Sequence, residues 1–191
     1  MSGFYQLRRI SCKAVFFLAA LLSALTTSRT LAQTTPAPTS PVTTLPAHVY
    51  PRMAGYLGVL HPLVTVERNR SETNFSSHYV VGFPIGMNIW KTQQLGFSVE
   101  IVPTIRAENG TGRVTNVLFH PGVLVNLGHD FTFAGRLAFE TSGRYGVTPV
   151  LNKIVKRTKT NSYFVAVPIP ARFGNNRAAS VTLGFQFGIV F

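Results

Sequence analysis

Residues Ser180 to Phe191, SVTLGFQFGIVF, decide how this chain is read. Odd positions hold Val181, Leu183, Phe185, Phe187, Ile189 and Phe191; even positions hold Ser180, Thr182, Gly184, Gln186, Gly188 and Val190. Successive side chains of a strand point to opposite faces, so the segment is a strand with one bulky apolar face and one small or polar face. A core-facing strand of a soluble sandwich alternates in the same way. Two features point elsewhere. The apolar face is unbroken for six positions, about what a tilted strand needs to cross a bilayer. The other face is small and hydrophilic, as the inside of a narrow barrel requires.

The pattern recurs upstream, with turn residues at regular intervals. Tyr163–Phe173 sets Tyr163, Val165, Val167 and Ile169 against Phe164, Ala166, Pro168 and Arg172. Phe131–Thr141 sets Phe131, Phe133, Leu137 and Phe139 against Thr132, Arg136 and Glu140. Arg113–Leu127 carries Val117, Phe119, Pro121, Val123 and Val125 opposite Asn116, His120, Gly122 and Asn126. Leu95–Arg106 puts Phe97, Val99 and Ile101 on one face and Ser98, Glu100, Thr104 and Arg106 on the other. His78–Trp90 alternates as well, with Trp90 and Lys91 placed as an interfacial aromatic and a headgroup-facing cation.

Two strands are less regular. Ala54–Val66 loses its alternation at His61-Pro62, which marks a bulge and leaves the register open. Ser142–Thr160 holds a sixth strand around Tyr145–Val155, with Lys153 among its apolar positions. The count is eight, and the predicted fold is all-β: an eight-stranded antiparallel up-and-down transmembrane β-barrel over residues 53–191. Prolines 84, 103, 121, 149, 168 and 170 each remove a ladder donor, and several of them are expected at bulges or rims. Glu67–Ser77 reads as an exposed loop.

The remaining residues read as processing and spacer segments. Arg8, Arg9 and Lys13 precede an apolar run, Ala14–Leu25, too short to span as a helix. Residues 1–32 are therefore expected to be a signal peptide cut after Thr30-Leu31-Ala32. Residues 33–52, rich in Thr and Pro, make a flexible linker. The leader takes with it the only cysteine, Cys12, and four of the 18 basic residues. The remaining 14 against 6 acidic residues are not clustered as a nucleic-acid surface would be, so no nucleic-acid partner is expected. Only 13% of residues are charged while Phe alone numbers 15, a balance suited to a membrane barrel.

Leader, proline-rich spacer, alternating strands and a terminal Phe191 together resemble small Gram-negative outer-membrane β-barrel proteins of the OmpA/OmpX type. The resemblance implies location in the cell outer membrane, with outer-membrane lipids and lipopolysaccharide as partners. It also implies contact with the barrel-assembly machinery through the last strand, for which Phe185, Phe187 and Phe191 would be the assembly signal. No catalytic residue follows from it.

No phosphate-binding glycine loop, zinc-spaced set or nucleophile elbow is present, so no cofactor, metal or catalytic residue is predicted. The informative polar residues are those facing inward: Glu100, Arg106, His120, Arg136, Glu140 and Arg172. Eight strands leave an interior just wide enough for side chains. Buried charges must pair, so these six are expected to form a structural lattice that fills the lumen. The preferred function is a non-enzymatic barrel with an envelope-structural or loop-binding role. Two others stay open: a barrel enzyme acting on envelope lipids, with His120 beside a Ser or Thr, and a soluble periplasmic lipocalin-like binder of small ligands.

Overall fold

A computed structural model describes residues 49–68 and 70–191. The expected leader and nearly all of the expected linker lie outside the described residues. Eleven strands account for most of what is described, and none of the described residues is helical. They are β1 (Arg52–Glu67), β2 (Arg70–Thr73), β3 (Tyr79–Gly82), β4 (Ile85–Trp90), β5 (Leu95–Glu108), β6 (Thr111–Gly128), β7 (Phe131–Glu140), β8 (Tyr145–Arg157), β9 (Ser162–Pro168), β10 (Ala171–Phe173) and β11 (Ser180–Val190). β2, β3 and β4 succeed one another alongside β1, and β9 with β10 forms one interrupted strand, so the sheet has eight staves. Every pairing is antiparallel between chain neighbours, and the last stave returns to the first, Tyr56 opposite Val190 through Glu67 opposite Ser180. The sheet is a closed ring.

Local chemistry sets the turns and irregularities. Asn109 and Gly110 both have positive φ, as a two-residue hairpin loop demands, so β5 and β6 run closer to their turn than the polar cluster AENGTG suggests. The register of β1 against β11 shifts between Pro62 and Val64, which places the bulge at Leu63, beside the expected break. Ser142–Thr160 does contain a full strand, the 13 residues of β8. Its Lys153 stays among the outward apolar residues by laying Nζ 3.8 Å from the centre of the Phe131 ring. One expectation needs correction. Arg70–Thr73 is not loop but strand, pairing Glu67 with Arg70 and Val64 with Thr73, on the edge of β1 opposite the one that pairs with β11. Of the six prolines, Pro84, Pro168 and Pro170 sit at strand interruptions, in line with the expectation for several of them, while Pro103, Pro121 and Pro149 lie within continuous strands. Proline still accepts: the carbonyls of Pro84, Pro103, Pro149 and Pro170 each take a neighbouring stave's amide at 2.9 Å.

The ring has two unlike ends. Arg52 and Val190 lie at one, called here the terminal end, with the connections after β4, β6 and β8. The hairpin end holds the turns after β1, β5, β7 and β10. Glu67–Ser77 and Lys156–Lys159 therefore occupy opposite ends and cannot act as one surface. Faces differ as sharply as ends. Leu57, Ile85, Phe97, Val123, Leu137, Leu151, Val167 and Phe185, one from each stave, point outward and are exposed. Val102, Leu124, Ala134, Ala138, Val150, Phe164 and Ala166 are buried on the inward phase.

Candidate functional site

The alternation that sends Phe and Leu outward sends charges inward, and these meet at the waist of the ring. Glu100 of β5 and His120 of β6 stand directly opposite in the ladder and are each 2% exposed. His120 Nδ1 lies 2.9 Å from Glu100 Oε1. Arg136 of β7 reaches the same carboxylate with Nη1 at 3.3 Å, places Nε 3.3 Å from Ser98 Oγ and donates from Nη2 to the Tyr56 hydroxyl at 3.0 Å. Tyr56 of β1 in turn donates to Glu100 Oε2 at 2.9 Å. On the far side of His120, Arg172 of β10 brings Nη2 to 3.1 Å from Nε2. A guanidinium can only donate, so Nε2 accepts and Nδ1 carries the hydrogen toward Glu100. Arg172 also donates from Nε to Glu140 Oε1 at 2.8 Å and from Nη1 to Thr148 Oγ1 at 3.0 Å. Glu140 Oε2 accepts from Asn116 Nδ2 at 2.7 Å and Ser142 Oγ at 2.8 Å.

Five of the six predicted inward residues thus join one continuous network, Ser98–Arg136–Glu100–His120–Arg172–Glu140, which crosses β5, β6, β7 and β10. Buried charges are tolerated when paired and fully bonded, and here each carboxylate oxygen and each guanidinium has neutral or ionic partners. Arg106 stands apart. It faces the interior near the hairpin end and pairs with Glu108 at 3.0 Å, both partly open to solvent. Sequence reasoning missed Tyr56, the hub on β1, because the bulge at Leu63 hides that strand's phase. It also misplaced Trp90. The strict alternation Asn88, Ile89, Trp90 turns the indole inward, where it packs against the apolar cluster of Tyr56, Leu124, Ala134, Val150, Phe164 and Ala166. A Cβ on Gly96 would come within 3.0 Å of that ring, so glycine makes the room for it.

The network and the apolar cluster close the waist, but neither fills the ring to its ends. A cavity of about 500 Å³ opens at the terminal end and one of about 280 Å³ at the hairpin end, with Arg136, Val150 and Gln186 lining both.

His120 has both ring nitrogens engaged, and no serine or threonine hydroxyl bonds to it among the described residues. No three His, Cys, Asp or Glu side chains converge as a metal site among the described residues either. Of the proposed assembly residues, Phe185 and Phe187 point outward, while Phe191 exchanges both backbone hydrogen bonds with Gly55, at 2.9 and 3.0 Å. Its ring lies where a Cβ on Gly55 would be, 2.6 Å from it. No protein-family model matches the chain, and no curated protein matches it.

Proposed function

We propose that the ring is a transmembrane β-barrel of the bacterial outer membrane, non-enzymatic, with an envelope-structural or loop-mediated binding role. One observation carries the reading: all eight staves expose large apolar side chains outward while the waist inside is ionic. Soluble proteins rarely expose contiguous apolar patches beyond a few hundred Å², and this apolar belt goes all the way round. A bilayer is the solvent that belt suits, since a closed ring leaves no unpaired strand edge in hydrocarbon. A soluble carrier of apolar ligands needs the opposite arrangement, apolar inside and polar outside. The leader expected over residues 1–32 and Phe191 after the last strand, resembling the OmpA/OmpX type, direct the proposal to the outer membrane, and the partners would be its lipids and lipopolysaccharide. The engaged nitrogens of His120 favour a bracing role over general-base chemistry.

Fractionation tests it. The full chain expressed with its leader in a Gram-negative host is expected in the outer-membrane fraction. Its electrophoretic mobility should change on boiling, as closed barrels unfold only then. Soluble periplasmic protein with heat-independent mobility would overturn the proposal.

A further inference from the structure

Two unlike walls face each other across the cavity at the terminal end. One carries a row of neutral polar side chains. The ladder sets Asn126 of β6 opposite Thr132 of β7, Thr132 opposite Asn152 of β8, Asn152 opposite Ala166 of β9, and Ala166 opposite Gln186 of β11. Asn126 is committed, donating to Gln93 O at 3.0 Å and accepting from the Gly128 amide at 2.9 Å. Thr132, Asn152 and Gln186 make no side-chain hydrogen bond among the described residues, although Gln186 is only 4% exposed. None of their polar atoms is sealed inside the wall, so all three open on the cavity. The other wall holds Trp90. Its stave stands four places from β8 in the ring of eight, which puts the indole across the lumen from Asn152. One side of the indole lies against Gly96, and its N–H has no acceptor among the described residues.

Charge in this cavity is already matched. Arg136 at its floor is paired with Glu100, and Asp130 at its mouth with Arg157; Arg52 and His129 stand exposed at the mouth. A charged ligand finds no free counter-charge inside, and a wholly apolar one would leave Thr132, Asn152 and Gln186 unpaired. Amides and a hydroxyl both donate and accept, and so do the hydroxyls of a sugar. A pyranose ring also presents a face of C–H groups, which suits the negative face of an aromatic ring. At about 500 Å³ the cavity is of ligand-binding size. We propose that the terminal-end cavity binds a neutral saccharide, its hydroxyls on Thr132, Asn152 and Gln186 and its ring face on the indole of Trp90. The site needs the closed ring but not its insertion into a bilayer, so it stands or falls separately from the membrane reading.

The test uses the full folded chain in mild detergent, with the emission of Trp90, the chain's only tryptophan, as the readout. The probes are glucose, galactose and N-acetylglucosamine, with sorbitol and adenine beside them. At least one of the three sugars is expected to shift the emission saturably, and silence from all three would overturn the site. Sorbitol carries hydroxyls without a ring face and should have no effect; a response equal to that of the best sugar would overturn the stacking on Trp90. Adenine binding tighter than every sugar would overturn the proposal in favour of a flat base. Asn152→Leu should raise the half-saturating sugar concentration about tenfold, whereas Arg106→Gln, on the other cavity, should not change it. An unaltered half-saturation in Asn152→Leu would refute the amide contact. Should that variant not fold, Thr132→Val removes one hydroxyl at nearly constant volume. Weakened sugar binding in it supports the proposal, and unchanged binding refutes it.

Discussion

Glu100 divides two oxygens among Tyr56, His120 and Arg136, so its removal strands a guanidinium as well as a carboxylate's worth of hydrogen bonds. Breaking one side of a buried ion pair costs about 3–5 kcal/mol because the other charge stays uncompensated. Glu100→Ala and Arg136→Ala are each expected to destabilise the ring by that order, and the double variant by clearly less than the sum. Denaturant unfolding of all four proteins checks this, and strict additivity would show that the two charges do not support one another. A different response is expected at the exposed turn between β6 and β7. The Arg157 guanidinium, by hydrogen bonding and by charge, holds the Asp130 carboxyl below its ordinary range. A depressed carboxylate pKa contributes stability that is present above the unfolded value and lost as pH falls through the folded one. The turn should therefore stay clasped to β8 at mildly acid pH. A carboxyl NMR titration should find Asp130 low in the wild type and back in the ordinary range in Arg157→Gln; identical titrations would rule the clasp out.

Among the elements, β11 has the most asymmetric duty, since it is hydrogen-bonded to β1 along its length and its final amide group meets Gly55. Deleting Phe191 removes two terminal hydrogen bonds and one ring from the seam, a small loss for the folded ring. If the assembly machinery reads that aromatic, the deletion should leave protease-sensitive chain in the periplasm, and normal outer-membrane levels would show that it does not. How much of this was legible beforehand depended on each strand's phase. In β7, β11, most of β5 and the middle of β6 the period of two is kept, so Glu100, His120, Arg136 and Gln186 were readable as inward and Phe185 and Phe187 as outward from spacing alone. In β1 the extra residue at Leu63 resets the phase, and Tyr56 could not be assigned. Trp90 was misread because a strand-end tryptophan suggests an interface, yet the parity it shares with Asn88 faces it inward. Side-chain pairing across staves, as between Arg172 and His120, is invisible to any one strand's pattern.

At the scale of the whole molecule, the closed waist and the unlike ends each predict a measurement. Tyr56, Arg136, Phe164 and their neighbours block the lumen between two cavities, so planar-bilayer recording of the refolded protein should show no steady, salt-proportional conductance. Such conductance, free of porin contaminants, would mean the waist opens. The described lysines, Lys91, Lys153, Lys156 and Lys159, all sit at the terminal end, while the hairpin end carries only arginines as its fixed cations. Outer-membrane barrels keep short turns on the periplasmic side, and the connections at the terminal end are short. A membrane-impermeant amine reagent should then leave these lysines unmodified on intact cells and modify them once the envelope is opened. Labelling of intact cells would invert the orientation. The register that closes the ring joins Tyr56 to Val190, residues more than a hundred positions apart. Such long-range pairing is slow to form, and until it forms both β1 and β11 present a free edge to any other chain. Synthesis runs from the N-terminus at roughly 5–20 residues per second, so the first strand is made several seconds before its closing partner exists. During that interval the edge of β1 that β11 will cover has no partner within the chain and is open to pairing with another copy.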